Sequence, residues 1–186
     1  MQSIKKEKHM NKITEKAAKV KLLILDVDGV LTDGTLYFGA DDGNEETKGY
    51  NIKDGLGLVL LKEAGIEVAV ITGRKSKSVS NRLKGLGITQ VYQGQLNKAG
   101  AYSELLDKLG LKAEQTAYIG DDLIDLPILT KAGLAIAVKD AHAEVLSRVD
   151  MITDNIGGNG AVREVCDLLL KSQELYEGIL NRYLEM

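Results

Sequence analysis

The sequence predicts an α/β fold, a three-layer sandwich in which helices flank a parallel Rossmann-like sheet. Three observations predict it. Short apolar runs recur along the chain, at residues 20–25, 67–71 and 116–119. Each is followed by a polar cluster and then by a stretch with helical spacing of roughly ten to fifteen residues. Glycines close several of these stretches, at Gly65, Gly87 and Gly110, where a left-handed residue ends a helix without strain. Strand and helix in alternation build βαβ units, whose strands run parallel.

Taken in order, residues 1–10 read as a loose tail and 12–18 as a short helix, so 1–19 precede the main domain. Residues 20–25 suit a buried strand that ends at Asp26-Val27-Asp28-Gly29. Residues 34–50 read as a hairpin flap: Thr35-Leu36-Tyr37-Phe38, a turn-rich 39–44, then a return segment. The spacing of Leu56, Val59, Leu60 and Leu61 predicts a helix over 54–64. A second strand, 67–71, ends at Thr72-Gly73-Arg74. A helix over 76–86, a strand over 89–92, a helix over 98–109 and a strand over 116–119 follow. That last strand ends at Gly120-Asp121-Asp122. Strands near 134–137 and 151–152 bracket a helix from about 141. The final helix is expected from about 160 toward the C-terminus. The main domain then spans 20–172, and 173–186 form a helical extension or tail in which Leu175, Ile179 and Leu180 share a face.

Composition narrows the function. The 186 residues are 44% hydrophobic, enough for one domain with a sizeable core. A net charge of −3 and aromatics at 4% without Trp disfavour nucleic-acid binding, which needs cationic surface and stacking platforms. The single cysteine, Cys166, lies in an apolar helical pattern and reads as a buried structural thiol rather than a nucleophile. Lys5, Lys6 and Lys8 are followed by no apolar stretch of signal-peptide length, and no run approaches a membrane span. The expectation is a cytoplasmic protein with no membrane partner.

In an open parallel sheet, ligands bind at the carboxyl ends of the strands. Three predicted strands end there in polar clusters. Asp26 and Asp28 flank Val27, and alternation in an extended segment would place both on one side. Two crowded carboxylates call for a cation, and hard oxygens suit magnesium, with Asp121 as a further ligand. A carboxylate can attack phosphorus, and a second one two positions on can protonate the leaving alcohol. The phosphoryl oxygens then need donors. Thr72, the backbone at Gly73, the Lys98 ammonium and close approach at Gly29 could supply them. Each signal alone has a bland reading. Asp-x-Asp pairs are common on surfaces, Asp122 could cap a helix, and a lone Lys98 could sit in solvent. Their order and positions make the case.

Asp26-Val27-Asp28-Gly29-Val30, Ile71-Thr72-Gly73-Arg74, Asn97-Lys98 and Gly120-Asp121-Asp122-Leu123-Ile124-Asp125 together resemble the four motifs of the haloacid dehalogenase-like phosphatases. The resemblance implies Asp26 as nucleophile and metal ligand. It implies Asp28 as general acid/base, binding metal through its backbone carbonyl. Thr72 and Lys98 would hold phosphate, Asp121 would complete the magnesium site, and Asp122 and Asp125 would support it. Only the flap and one helix separate Asp26 from Thr72, so the chain resembles the members without a cap domain. Residues 50–55, 92–94 and 157–166 are similar to a capless branch acting on the 8-phosphate of 3-deoxy-D-manno-octulosonate in lipopolysaccharide biosynthesis. That likeness implies a homotetramer whose neighbouring subunits close the sites. It also implies substrate contacts at Asn51, Lys53, Asp54, Gly55, Arg74 and Arg82, besides Asp28 and Lys98. Arginine suits the bidentate recognition of a sugar-acid carboxylate.

Other readings compete. The same motifs would serve a nonulosonate 9-phosphate phosphatase. A non-catalytic regulatory domain could keep the fold, but it has no need of a crowded acidic site. A phospho-receiver domain would not need Asp28.

Overall fold

The computed structural model describes residues 2–38 and 46–186, with side chains from Glu7 onward. Six parallel strands form the central sheet: β1 (Leu22–Leu25), β4 (Glu67–Ile71), β5 (Gln90–Tyr92), β6 (Thr116–Gly120), β7 (Leu134–Ala137) and β8 (Met151–Ile152). Their order is β5-β4-β1-β6-β7-β8. Leu22 pairs with Glu67 on one side and Thr116 on the other, and Leu25 with Val70 and Ile119. All four residues of β1 are fully buried. Successive side chains on a strand point to opposite faces, so helices must cover both faces. That is the three-layer arrangement the sequence predicts, and the continuous apolar run Leu22–Leu25 is its local cause.

The helices are α1 (Gln2–Ala17), α2 (Ile52–Glu63), α3 (Lys77–Gly85), α4 (Lys98–Leu109), α5 (Leu126–Leu129), α6 (Ala143–Leu146), α7 (Ala161–Ser172) and α8 (Tyr176–Leu184). Helix α7 packs on α2 and on α1. It buries Val162, Val165, Cys166, Leu169 and Leu170, a stripe with the period of one helix face. The Cys166 thiol is fully buried, as a structural role requires, and burial pushes it well above the usual thiol range. A small antiparallel pair, β2 (Tyr37–Phe38) and β3 (Glu46–Thr47), stands apart from the sheet as the flap. The turn expected over 39–44 lies outside the described residues.

Three boundaries differ from expectation. The N-terminal helix starts at Gln2, not near Lys12. Residues 2–17 contain neither Gly nor Pro and are rich in Lys, with Glu7 and Glu15, residue types that lose little rotamer freedom in a helix. Helix α2 starts at Ile52, two residues ahead of Asp54, because Asn51 caps it. The expected continuous C-terminal helix is broken. Glu174 adopts φ 60, Glu174 N–H donates to the Lys171 carbonyl at 3.1 Å, and Leu175 N–H donates to the Leu170 carbonyl at 2.9 Å. This is the two-bond pattern that ends helices, here with Glu where Gly is usual. The missing glycine is why no stop was visible in the sequence.

Candidate active site

Strands β4, β1 and β6 are neighbours, so the residues that follow them converge. Asp26, Asp28, Gly29, Thr72, Gly73, Arg74, Lys98, Asp121 and Asp122 line one cavity of about 280 Å³. Asp28 gets there by a different route from the one expected. The strand ends at Leu25, and the Val27 carbonyl accepts from the N–H groups of Val30, Leu31 and Thr32. A tight turn, not strand alternation, brings Asp28 beside Asp26.

Asp26 is almost wholly buried. One of its oxygens accepts from the Val27 N–H at 2.7 Å, and the other lies 2.9 Å from Lys98 Nζ. Lys98 begins α4, and its side chain has no exposed surface. Its ammonium also donates to Asp125 Oδ1 at 2.7 Å and to the Tyr118 hydroxyl at 3.4 Å. Burial pulls the Lys98 pKa down, but the charges of Asp26 and Asp125 outweigh it and raise the value overall. Lys98 therefore stays charged beside Asp26. Burial, followed by the charge of Asp125, pushes Asp26 up to about 6 against the opposing pull of Lys98.

Asp125 is the hub beneath these groups. Its Oδ1 accepts from Lys98 and, at 2.6 Å, from the Tyr118 hydroxyl. Its Oδ2 accepts from the backbone N–H of Asp121 at 2.9 Å and of Asp122 at 3.3 Å. Asp122 is exposed, and its own carboxylate accepts from Leu123 N–H at 2.7 Å, capping the short turn after β6. Both residues thus sit in supporting positions.

Among the described residues, oxygens of Asp26, Asp121 and Asp125 lie within 4.8 Å of one another. Asp125 is a poor candidate ligand because both its oxygens are already engaged. Asp121 is a good one. Its Oδ1 is buried and has no hydrogen-bond partner. Burial, then the charges of Asp125 and Asp26, push it up to about 8. A buried, unpartnered carboxylate oxygen facing a second carboxylate is what a hard dication satisfies. Gly29 is part of this arrangement. Its φ is 85, and a Cβ there would overlap Asp121 Oδ2. The close approach that this structure shows at Gly29 is to the Asp121 carboxylate.

Thr72 is buried. Its N–H donates to the Tyr92 carbonyl at 2.9 Å, and its carbonyl accepts from Gln95 N–H at 3.0 Å. Gly73 packs beside Ile124. Arg74 lies at the rim, half exposed. Its Nη2 is 2.6 Å from Glu46 Oε2, and its Nε is 4.0 Å from Asp28 Oδ2.

The other expected substrate contacts do not line this cavity. Asn51 and Asp54 each use their side-chain oxygens on neighbouring backbone N–H groups. Asn51 Oδ1 accepts from Lys53 N–H at 2.8 Å and Asp54 N–H at 3.4 Å, capping α2. Asp54 is buried. It accepts from Arg163 N–H at 2.8 Å and Gly160 N–H at 3.3 Å. Gly160, at the start of α7, has no side chain to cap with, so Asp54 supplies the acceptor from the neighbouring helix. Gly55 makes room for Arg82, whose guanidinium a Cβ would meet. Arg82 lies 5.7 Å over the Tyr50 ring and donates to the Asn51 carbonyl at 3.4 Å. Lys53 is exposed beside Asn159 and Glu164, on a separate cleft of about 420 Å³.

A family profile described as haloacid dehalogenase-like hydrolase matches residues 87–165. The 3-deoxy-D-manno-octulosonate 8-phosphate phosphatase KdsC of Escherichia coli is 53% identical over 161 residues, covering 87% of this chain and 85% of that protein. The chain belongs to the haloacid dehalogenase-like hydrolases. Two solved structures resemble this hydrolase closely. The 3-deoxy-D-manno-octulosonate 8-phosphate phosphatase from Yersinia pestis superposes with a TM-score of 0.87 at 50% identity, covering 90% of this chain and 89% of that one. The phosphatase of the same name from Moraxella catarrhalis, in complex with magnesium ion, phosphate ion and KDO, gives 0.90 at 45% identity, covering 94% and 99%.

In this hydrolase several supporting residues escaped the sequence reading. Tyr118 reads there as one more strand residue, yet its hydroxyl anchors Asp125. Gly157 and Gly158 pack on the loop that follows β1: a Cβ on Gly157 would overlap the Gly29 carbonyl, and Gly158 N–H donates to the Val30 carbonyl at 2.9 Å. The paired glycines were visible as a signal without a location. Glu46 and Lys48, on the flap, carried no signal at all.

Proposed function

We propose that this hydrolase is a magnesium-dependent phosphatase that converts 3-deoxy-D-manno-octulosonate 8-phosphate to the free sugar acid and inorganic phosphate. The observation that carries it is the buried pairing of Asp26 with Lys98, set against the unpartnered Asp121 oxygen, at the ends of three adjacent strands. The similarity to the named phosphatases supports the substrate.

Asp26 and Asp121 would hold magnesium, with the Asp28 carbonyl as a further ligand. When bound, the ion offsets the repulsion between carboxylate and phosphate and polarises the phosphoryl group. The rest falls to the chain itself. An Asp26 oxygen attacks phosphorus, the bond to the sugar oxygen breaks, and Asp28 gives that oxygen its proton. Asp28 then takes a proton from water, whose oxygen attacks phosphorus. The bond to Asp26 breaks, and phosphate leaves. Lys98 and Thr72 stabilise the phosphoryl oxygens, with the backbone at Gly73. Arg74 at the rim takes the sugar-acid carboxylate, and Arg82 and Lys53, which lie outside this cavity, serve a neighbouring subunit's site.

The protein works as a cytoplasmic homotetramer in this reading. No described helix is long and apolar enough to cross a membrane, and the cavity, without a cap domain, is left open for a neighbour to cover. The deciding experiment is phosphate release with magnesium from the octulosonate 8-phosphate, a nonulosonate 9-phosphate and simple sugar phosphates. Strong preference for the first supports the reading. Preference for the nonulosonate replaces the substrate, and inactivity on all three removes the catalytic role. Asp26→Asn, nearly isosteric, should abolish turnover in a protein that still folds.

A further inference from the structure

The flap carries a cation aimed at Asp28. Lys48 follows β3, and its side chain has no exposed surface. Its ammonium is paired with Asp28 Oδ1 and lies 3.3 Å from Glu46 Oε1. Arg74 joins Glu46 at 2.6 Å and faces Asp28 Oδ2 at 4.0 Å. Charges therefore alternate around a closed ring, Asp28–Lys48–Glu46–Arg74. Burying a lysine this completely costs several kcal/mol of desolvation unless the paired groups compensate. A hairpin needs no such group to rest on the domain; an apolar side chain would do. The ring also ends on the one carboxylate of the cavity that must move protons.

We propose that Lys48 is a positioning residue for Asp28, tying the acid's working oxygen to the seating of the flap. The ammonium holds Oδ1 and so fixes the rotation of the carboxyl group, leaving Oδ2 on the side of Arg74, which lines the cavity. Without Lys48 the carboxyl group can rotate, and only one of its orientations points at the leaving group.

This rests on the reading of Asp28 as general acid, and leaving-group chemistry separates the two claims. A sugar alkoxide needs a proton as it departs; p-nitrophenolate does not. In the full-length protein with magnesium, single-turnover rates of the first half-reaction are compared for the octulosonate 8-phosphate and p-nitrophenyl phosphate. Acid catalysis is worth roughly 100- to 10,000-fold. Lys48→Met should therefore slow the sugar phosphate by at least about 10-fold and the aryl phosphate by less than about 3-fold. In an Asp28→Asn background it should add no further loss. Equal losses on both substrates, no loss on either, or a full loss persisting beside Asp28→Asn would overturn the proposal. If Asp28→Asn itself does not discriminate between the substrates, the acid assignment falls and this proposal with it. If Asp28→Asn discriminates and Lys48→Met does not, only the role of Lys48 falls. Should Lys48→Met lose its native circular dichroism, Lys48→Gln carries the same comparison.

Discussion

Asp125 Oδ2 accepts the backbone N–H of Asp121 at 2.9 Å, while Oδ1 of the same carboxylate holds Lys98 at 2.7 Å. One buried side chain thereby sets both the candidate metal ligand and the cation beside Asp26. Asp125→Ala would strand the Tyr118 hydroxyl and remove one of the two carboxylates around Lys98. Losing one partner of a buried ion pair typically costs about 3–5 kcal/mol, and losing the group that orients a ligand costs roughly 10–100-fold in metal affinity. Urea unfolding and a magnesium titration should show both losses. A variant with wild-type stability and magnesium affinity would count against the hub role.

Gly29→Ala tests the packing of the metal site directly. The added methyl would overlap Asp121 Oδ2 on a backbone with φ 85 that L-residues rarely adopt. Asp121 must then shift, and magnesium affinity should fall by about 10-fold or more, with activity falling in parallel. The check is a magnesium dependence of the rate. Restoration of activity at high magnesium would locate the damage in metal binding.

The two raised carboxyls give a pH signature. Asp26 stands near 6 and Asp121 near 8, both above the ordinary 3.8. The folded state therefore binds more protons than the unfolded chain between about pH 4 and 8. Their stabilising contribution is full below the unfolded value and is lost as pH rises through 6 and then 8. Magnesium competes with those protons. Thermal unfolding in EDTA should show Tm falling across this window, and the gain in Tm on adding magnesium should grow from pH 5.5 to 8.5. A gain that is flat or shrinks with pH would contradict the assignment of Asp26 and Asp121 as ligands.

Metal identity offers a further check. EDTA should silence turnover and magnesium restore it. Calcium should inhibit, because its longer bonds and looser coordination would misplace Asp26, the proposed nucleophile. Rates in calcium equal to those in magnesium would show that tight octahedral geometry is not required.

Asp54 separates a structural role from a binding role. Its two oxygens cap the start of α7 through Gly160 and Arg163. Asp54→Ala should lower unfolding free energy by about 1–2 kcal/mol, the usual cost of a lost cap. A raised KM without loss of stability would return Asp54 to the substrate.

The legible part of this protein is local. The run Leu22–Leu25 followed by Asp26, and the run Thr116–Gly120 followed by Asp121, each announce a buried strand and the polar group at its end within a few residues. Lys98 stands at a helix start for the same reason. Parallel strands put such ends on one edge, so the order of the motifs was enough to bring these residues to one cavity. Even the missed stop at Glu174 was a local failure, a left-handed residue without its glycine.

What the linear chain does not carry is the pairing of distant charges. Lys48 meets Asp28 across 20 residues and Arg74 meets Glu46 across 28. Asp54 meets Gly160 and Arg163 across more than 100. No period or spacing encodes these contacts. Each exists because packing removes two groups from water together, and a buried charge or N–H then takes whichever partner the fold has brought within reach. Asp26 was readable as a candidate site residue from its own neighbours; what holds Asp28, and what engages Asp54, depends on where the flap and α7 come to rest.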